Sequence, residues 1–319
     1  MHAASPSQRA GCLLGLALGD ALGFVVEAQP PGIARAYVGE LRAGRVGLRT
    51  HPDFPFGQYS DDTQLARELL LSIRDAGRFD PAGFGLRLAD LFTGSRAAAF
   101  RLAAGMSWSA AATPAPYAGN GSAMRAAPLG LVFRDRSRLV EAAVGQSRVT
   151  HQDPRCAAGS VAIAAAAAMA ARPGTIEPEP WLEELSGVVA PVHEPFAEAI
   201  RAVRIWAGRD PEIAARALHS AAWDPAIGTA WLGVSAHVMP SVLWALYAFL
   251  RSPDSYWDTV CTAIRAGGDT DSMAAMAGAL AGARLGKGAL PEQILRQLTD
   301  RGSWTSEALE ELAISVSLP

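Results

Sequence analysis

Two short segments carry most of the chain's acid chemistry. "SDDT", Ser60–Thr63, sets two adjacent aspartates between hydroxyls where a helix begins, and "GGDTDS", Gly267–Ser272, repeats that combination roughly two hundred residues later. Each alone fits a helix cap, because the unpaired amides and the dipole of a helix start favour negative charge. Together, Asp61, Asp62, Asp269 and Asp271 with the hydroxyls of Ser60 and Ser272 form an all-oxygen donor set lacking His and Cys. Such a set suits Mg²⁺, Mn²⁺ or Ca²⁺ better than Zn²⁺. Carboxylates gathered this densely repel one another unless cations hold them, so a two-metal site, with ions roughly 3.5–4 Å apart, is the natural expectation if the two segments meet.

Other stretches could complete a site. In "YAGNGSAMR", residues 117–125, Asn120-Gly121-Ser122 precede an expected helix. Glycine lets backbone approach a ligand, and free amides at a helix start bind phosphate; an Asn-Gly turn with Ser122 as N-cap is the plainer alternative. His151 in "VTHQDP" precedes another helix start. Asp20 and Glu27 are the acids of a glycine-rich apolar stretch. Buried acids need a partner or a metal, so Asp20 reads as a hydrogen-bonded structural aspartate, whereas Glu27, at the break before "PPG", is placed to face a cleft.

The elements that must position these groups read as helix after helix. Ala/Leu-rich segments with apolar residues three and four apart alternate with Gly/Pro punctuation, without strand alternation. Ser5-Pro6 opens a helix through about Phe24, in which Gly11, Gly15, Gly19 and Gly23 recur every fourth residue on one face. Each costs roughly 1 kcal/mol relative to Ala, which implies close backbone packing or access to a site. Further helices are expected near 62–75, 81–94, 97–107, 122–133, 137–149, 154–171, 194–207, 227–250 with a kink at Pro240, 255–266, 270–285 and 291–300. "RPGTIEPEP", residues 172–180, is the best linker candidate, but helices of one character flank it. The expectation is one all-α domain over residues 1–319.

Composition narrows the function class. With 50% hydrophobic residues the 319-residue chain folds around a large core. Its 28 Lys+Arg against 31 Asp+Glu give a net charge of -3, with no basic block to hold a phosphate backbone, so no nucleic-acid partner is expected. Cys12, Cys156 and Cys261 are odd in number, widely spaced and set among apolar residues. That pattern fits buried thiols in a reducing, cytoplasmic compartment. The N-terminal apolar run is broken by Asp20, and the run from Thr229 to Leu250 carries His237 and Pro240, so no membrane span is expected.

Five pieces in order, "GLALGDALGFVVEA", "SDDTQLA", "GNGSAMRAAPLG", "THQDPRCAAGS" and "GGDTDSMAAMAGALAGARLG", make the chain resemble the ADP-ribosylglycohydrolases over roughly residues 11–286. The resemblance implies a compact single-domain orthogonal helical bundle with two metal ions, Mg²⁺ or Mn²⁺, at the base of a cleft that takes ADP-ribose. Carried over, it makes Ser60, Asp61, Asp62, Asp269, Asp271 and Ser272 metal ligands, with Asp62 and Glu27 as catalytic acids or bases. It makes Asn120, Gly121 and Ser122 the phosphate loop and puts His151 near the nucleotide, with Tyr117 as a stacking candidate. The family usually has threonine where this chain has Ser60. The implied reaction is hydrolysis of the bond between ADP-ribose and a modified protein side chain, arginine first, releasing ADP-ribose from a monomeric enzyme. The alternatives are the same chemistry on ADP-ribosyl-serine, a nucleobase adduct or an ADP-ribose ester, and a non-catalytic ADP-ribose-binding protein.

Overall fold

The computed structural model describes residues 3–91, 101–221, 232–316 and 318. Among them the protein is all-α: helices and turns are joined only by isolated bridges, with no sheet. Ser5 caps the first helix, Pro6–Phe24, in a capping box with Gln8, and Pro6 fills the first position, where a missing N–H costs nothing.

The glycine stripe explains the centre of the molecule. Gly11, Gly15, Gly19 and Gly23 lie against Gly282, Gly278, Ala274 and Thr270, so Pro6–Phe24 runs antiparallel to the helix Thr270–Leu285. A β-carbon at any of the four would overlap the facing carbonyl oxygen, and Gly278 and Gly282 meet the carbonyls of Gly15 and Gly11 in return. The pair therefore packs backbone to backbone, closer than helices spaced by side chains can. Tyr256 in the helix Tyr256–Ile264 locks the pair by donating its hydroxyl to the Gly15 carbonyl at 2.8 Å. Around this pair, Pro154–Ala170 and Val238–Arg251 are buried along almost their whole length, and Arg136–Arg148 packs on the former. Cys12, Cys156 and Cys261 are free thiols, all buried.

Several boundaries differ from the sequence expectation. Pro31–Arg42, Pro178–Val189, Pro211–Ala221 and Ser306–Ser315 are helices where none was expected. The first three open on a proline, a residue that suits the first turn as well as a linker; Pro178–Val189 thus takes the end of the supposed linker. Residues 121–128 are turns, and only Leu129–Val132 is helical. Pro240 makes no kink: His237 caps the helix Val238–Arg251, so the proline sits in the first turn, where its absent N–H needs no partner. Beyond Pro291 a single turn, Glu292–Leu295, gives way to a chain that pairs with Gln58. The expected helical stretches 92–94, 97–100 and 227–231 lie outside the described residues, as does part of the most apolar run. No described helix is long and apolar enough to cross a membrane.

Gly19→Val should prevent cooperative folding, because the new side chain meets backbone that cannot retreat. Gly39→Ala, in a helix where an added β-carbon meets nothing within 4 Å, should stabilise by about 0.5–1 kcal/mol. Thermal melts followed by circular dichroism separate the two outcomes.

Candidate active site

The antiparallel pairing brings the acids together. The end of Pro6–Phe24 lies beside the start of Thr270–Leu285, so Asp20, and Glu27 just beyond the helix, come close to Asp269–Ser272. Asp20 then recruits the second segment. Its Oδ1 accepts from the Ser60 N–H at 2.9 Å, and its Oδ2 accepts from the Thr63 N–H and hydroxyl at 3.0 and 2.6 Å. A fully buried carboxylate from one helix thereby satisfies amides at the start of another, Asp61–Ala76. Asp20 is the hydrogen-bonded structural acid expected of it, and it also lies among the candidate ligands.

The two acidic segments meet. Ser272 Oγ donates to Asp62 Oδ2 at 3.4 Å, and Ser60 Oγ donates to the same oxygen at 3.2 Å. Carboxylate oxygens of Asp20, Asp62 and Asp271 lie within 4.8 Å of one another, as do those of Glu27, Asp269 and Asp271, so Asp271 belongs to both groups. Asp61, half-buried at the first helical position, flanks them.

The capping alternative divides. Ser60 does cap, accepting from the Asp62 N–H at 3.4 Å. Asp269 occupies a cap position yet makes no capping bond; its carboxylate accepts from Asn120 Nδ2 instead. Thr270 donates to the Gly23 carbonyl at 2.8 Å, and Asp271 Oδ1 accepts the adjacent Ser272 N–H at 2.9 Å.

Loop geometry holds Glu27 in place. The Ala28 N–H donates to the Gly268 carbonyl at 2.8 Å, and the Gly268 N–H donates to the Gln29 carbonyl at 2.9 Å, stapling the end of the first helix to the turn before Asp269. Gly267 and Gly268 have φ of 66° and 81°, and β-carbons there would run into Pro31, Gln29 and Val234 backbone. Only glycine serves at both positions.

Charge is concentrated at a cost. Burial, then the charge of Asp271, pushes Asp20 up to about 7. Burial, then the neighbouring aspartates led by Asp271, lifts Asp62 and Asp269 well above the carboxylate range. Burial also carries Asp271 up to about 6, against the bond from Ser272. Asp62 Oδ1 is buried with no hydrogen-bond partner. An orphaned carboxyl oxygen within an all-oxygen cluster is the arrangement a hard divalent cation resolves, so these residues fit a metal.

The remaining candidates line one side. Asn120 spends its side chain on Asp269 and its N–H on the Ala236 carbonyl. Ser122 is fully buried, its hydroxyl donating to the Cys156 carbonyl and accepting from Ser147, so only its backbone can face a ligand. Gly121 faces His151: an added β-carbon would lie 3.3 Å from the ring. His151 is half-buried, and burial, then the Arg125 charge, lowers it to about 3. Tyr117 is 47% exposed and parallel to His151 with ring centres 6.3 Å apart. Three bridges, Thr113 to His151, Gly119 to His237 and Val234 to Gly268, tie these loops together. No periodicity signals such single pairings. Arg125, Gln146 and Thr150 beneath the loop were equally unforeseen; the only sign was an arginine inside "GNGSAMR".

An all-α fold with a divided acidic cluster beside a glycine-rich loop defines a class, and the comparisons agree with it. The ADP-ribosylglycohydrolase family model matches residues 2–318, and the chain belongs to that family of hydrolases. The chain is 35% identical to an uncharacterised protein of Archaeoglobus fulgidus over 95% of its length and 93% of that protein. It is 27% identical to the ADP-ribosylarginine hydrolase Tri1 of Pseudomonas putida over 95% of this chain and 76% of that one. A solved structure titled ADP-ribosylglycohydrolase-related protein complex superposes with a TM-score of 0.71 at 30% identity, covering 98% and 97% of the two chains.

The raised acids set the pH dependence of the metal-free protein. An acid whose folded pKa exceeds its unfolded value of about 3.9 destabilises the fold as pH rises from that value through the folded one. After chelation the melting temperature should therefore climb on going from about pH 8 to about pH 5, with Asp20 and Asp271 titrating near 7 and 6. A saturating hard divalent cation should flatten the profile, which a melting series with and without the ion would show.

Proposed function

We propose that this protein hydrolyses the glycosidic bond between ADP-ribose and a modified protein side chain, arginine in the first instance, and releases ADP-ribose. The observation that carries this reading is the convergence of both acidic segments on Asp271, with carboxylate oxygens within 4.8 Å in each group. The name of the Pseudomonas putida relative supports arginine as the linkage. The active unit is the monomer, one domain over residues 1–319, working in the cytoplasm on ADP-ribosylated proteins.

Ser60, Asp61, Asp62, Asp269, Asp271 and Ser272 would hold two divalent ions, Mg²⁺ or Mn²⁺, with Glu27 in the second carboxylate group. Ions bound there would supply Lewis-acid chemistry and would lower the pKa of a water. Asp62 takes the proton from the attacking water. The water oxygen bonds to the anomeric carbon as the carbon–nitrogen bond breaks, and the departing guanidine nitrogen receives a proton. Glu27 delivers that proton or orients the leaving group, its place set by the Ala28–Gly268 staple. The diphosphate rests on the Gly121 and Ser122 amides beside His151, and Tyr117 stacks on the adenine.

Incubation with ADP-ribosyl-arginine, ADP-ribosyl-serine and ADP-ribose ester substrates, each with and without Mg²⁺ or Mn²⁺, tests the reading. Metal-dependent release of ADP-ribose, fastest from arginine, is expected, and Asp61→Asn and Asp271→Asn should each abolish it with the helical spectrum intact. Undiminished hydrolysis after thorough chelation would remove the metals from the reaction.

Ser60 caps a helix and also touches Asp62, so its variants separate the two roles. Ser60→Ala should cost about 1 kcal/mol as a lost cap and raise the metal concentration for half-maximal activity. Ser60→Thr should keep or lower that concentration, because the β-branch restricts the rotamer. Superimposable metal titrations for all three proteins would leave Ser60 as a cap alone.

A further inference from the structure

Beneath the "GNGS" loop lies a buried polar assembly that the reaction itself does not use. Arg125 is 1% exposed. Its Nε donates to Gln146 Oε1 at 2.6 Å, and its Nη2 donates to the Gln146 carbonyl at 3.0 Å and to Thr150 Oγ1 at 2.8 Å. Gln146 in turn donates to the Ser122 carbonyl at 2.8 Å, so the same arginine braces the loop and the residue next to His151. Its hydrogen bonds go to neutral acceptors, and its guanidinium lies over the Phe84 ring at 5.2 Å. Burying a guanidinium without a contacting carboxylate is expensive, and the Phe84 contact offsets only part of that.

Thr150 links Arg125 to His151. Its Oγ1 lies 2.8 Å from His151 Nδ1 and 3.4 Å from the Ser147 carbonyl. The hydroxyl has one proton to give and already accepts from Arg125. If Nδ1 carried a proton, Oγ1 would accept twice and its own proton would be left with the long contact to Ser147. Both 2.8 Å contacts are made in either tautomer, but only donation to Nδ1 spends the hydroxyl proton on a 2.8 Å contact rather than on the 3.4 Å one. Thr113 pairs on either side of His151, its N–H donating to the Thr150 carbonyl and its carbonyl accepting from the Gln152 N–H, each at 2.9 Å, which keeps the segment from turning. The Nε2 edge of the ring then faces the loop: a β-carbon on Gly119 would lie 3.4 Å from it, and one on Gly121 3.8 Å.

We propose that Arg125 is a positioning residue, which acts through Thr150 to hold His151 as the Nε2–H tautomer and present a hydrogen-bond donor to an anionic group on the Asn120–Ser122 loop. The inference rests on the ADP-ribose reading for the identity of that anion and on geometry alone for the tautomer. An Nε2–H donor and the loop amides act together on one phosphate oxygen, whereas the other tautomer would turn a lone pair toward the anion and repel it.

Long-range ¹H–¹⁵N spectra of histidine-labelled protein, with His151 assigned through His151→Gln, read the tautomer without any ligand. Wild type and Thr150→Ser should show Nε2 protonated and Nδ1 unprotonated but hydrogen-bonded. Thr150→Val, of nearly the same shape, should lose the hydrogen-bond shift at Nδ1 or exchange tautomers, and Arg125→Gln should do the same if it folds. Calorimetry with ADP-ribose should find Thr150→Val weaker by roughly tenfold, or about 1.4 kcal/mol, with Thr150→Ser near wild type. A protonated Nδ1 in wild type, an unmoved Nδ1 resonance in Thr150→Val, or unchanged ADP-ribose affinity in that variant would each overturn the relay. If wild type shows the expected tautomer yet binds no ADP-ribose, the identity of the anion falls while the tautomer assignment stands.

Discussion

The contact on which everything else rests is the bare backbone packing of Pro6–Phe24 against Thr270–Leu285. Glycine at every fourth position removes the side chains that hold helices apart, and the facing Gly282, Gly278 and Ala274 do the same on the other side. Four glycines in one helix sacrifice roughly 1 kcal/mol each in propensity, so the loss must be offset by the packing they permit. Because the helices run antiparallel, the pairing also sets register. Gly23 stands at Thr270, and the acids that follow one helix and begin the other have no freedom to separate.

On that frame the structure builds an acid cluster that is unfavourable by itself. Asp20, Asp62, Asp269 and Asp271 are all buried, and burial with mutual repulsion raises each above its solution range. The surrounding hydrogen bonds hold the geometry without neutralising it. Asp20 spends its oxygens on Ser60 and Thr63 amides, Asp269 on Asn120, and Asp271 on Ser272, while one oxygen of Asp62 keeps no partner. Stability is thus forgone where a hard cation would gain most, a common relation between functional sites and the folds that carry them. Arg125 is the complement, a buried cation beneath the loop that faces the cluster, and Asp61 is the acid whose charge most favours it.

Much of this was legible in the sequence. The acid segments, the glycine period and the Asn120–Ser122 loop are local patterns whose residue types imply their chemistry, and cap-then-proline signatures place helix starts at Pro6 and Pro154. No helix was expected to start at Pro31, Pro178 or Pro211, although each does start one, because a proline after a break begins a helix as readily as it prolongs a linker. Pro240 misled in the opposite sense, since its effect depends on where the helix starts, and His237 decides that.

By itself the sequence determined which groups are available: an all-oxygen donor set, a helix able to lie backbone to backbone on another, and glycines at Gly267 and Gly268 where the chain must turn with positive φ. Only the tertiary structure decided which groups meet. That Asp271 belongs to two carboxylate groups, that Asp20 satisfies amides of a helix forty residues away, and that Arg125 reaches His151 through Thr150 are contacts between segments remote in the chain. Periodicity and capping act within one helix turn and carry no information about such pairs. They follow from helix packing register, which is set where two glycine stripes can interlock.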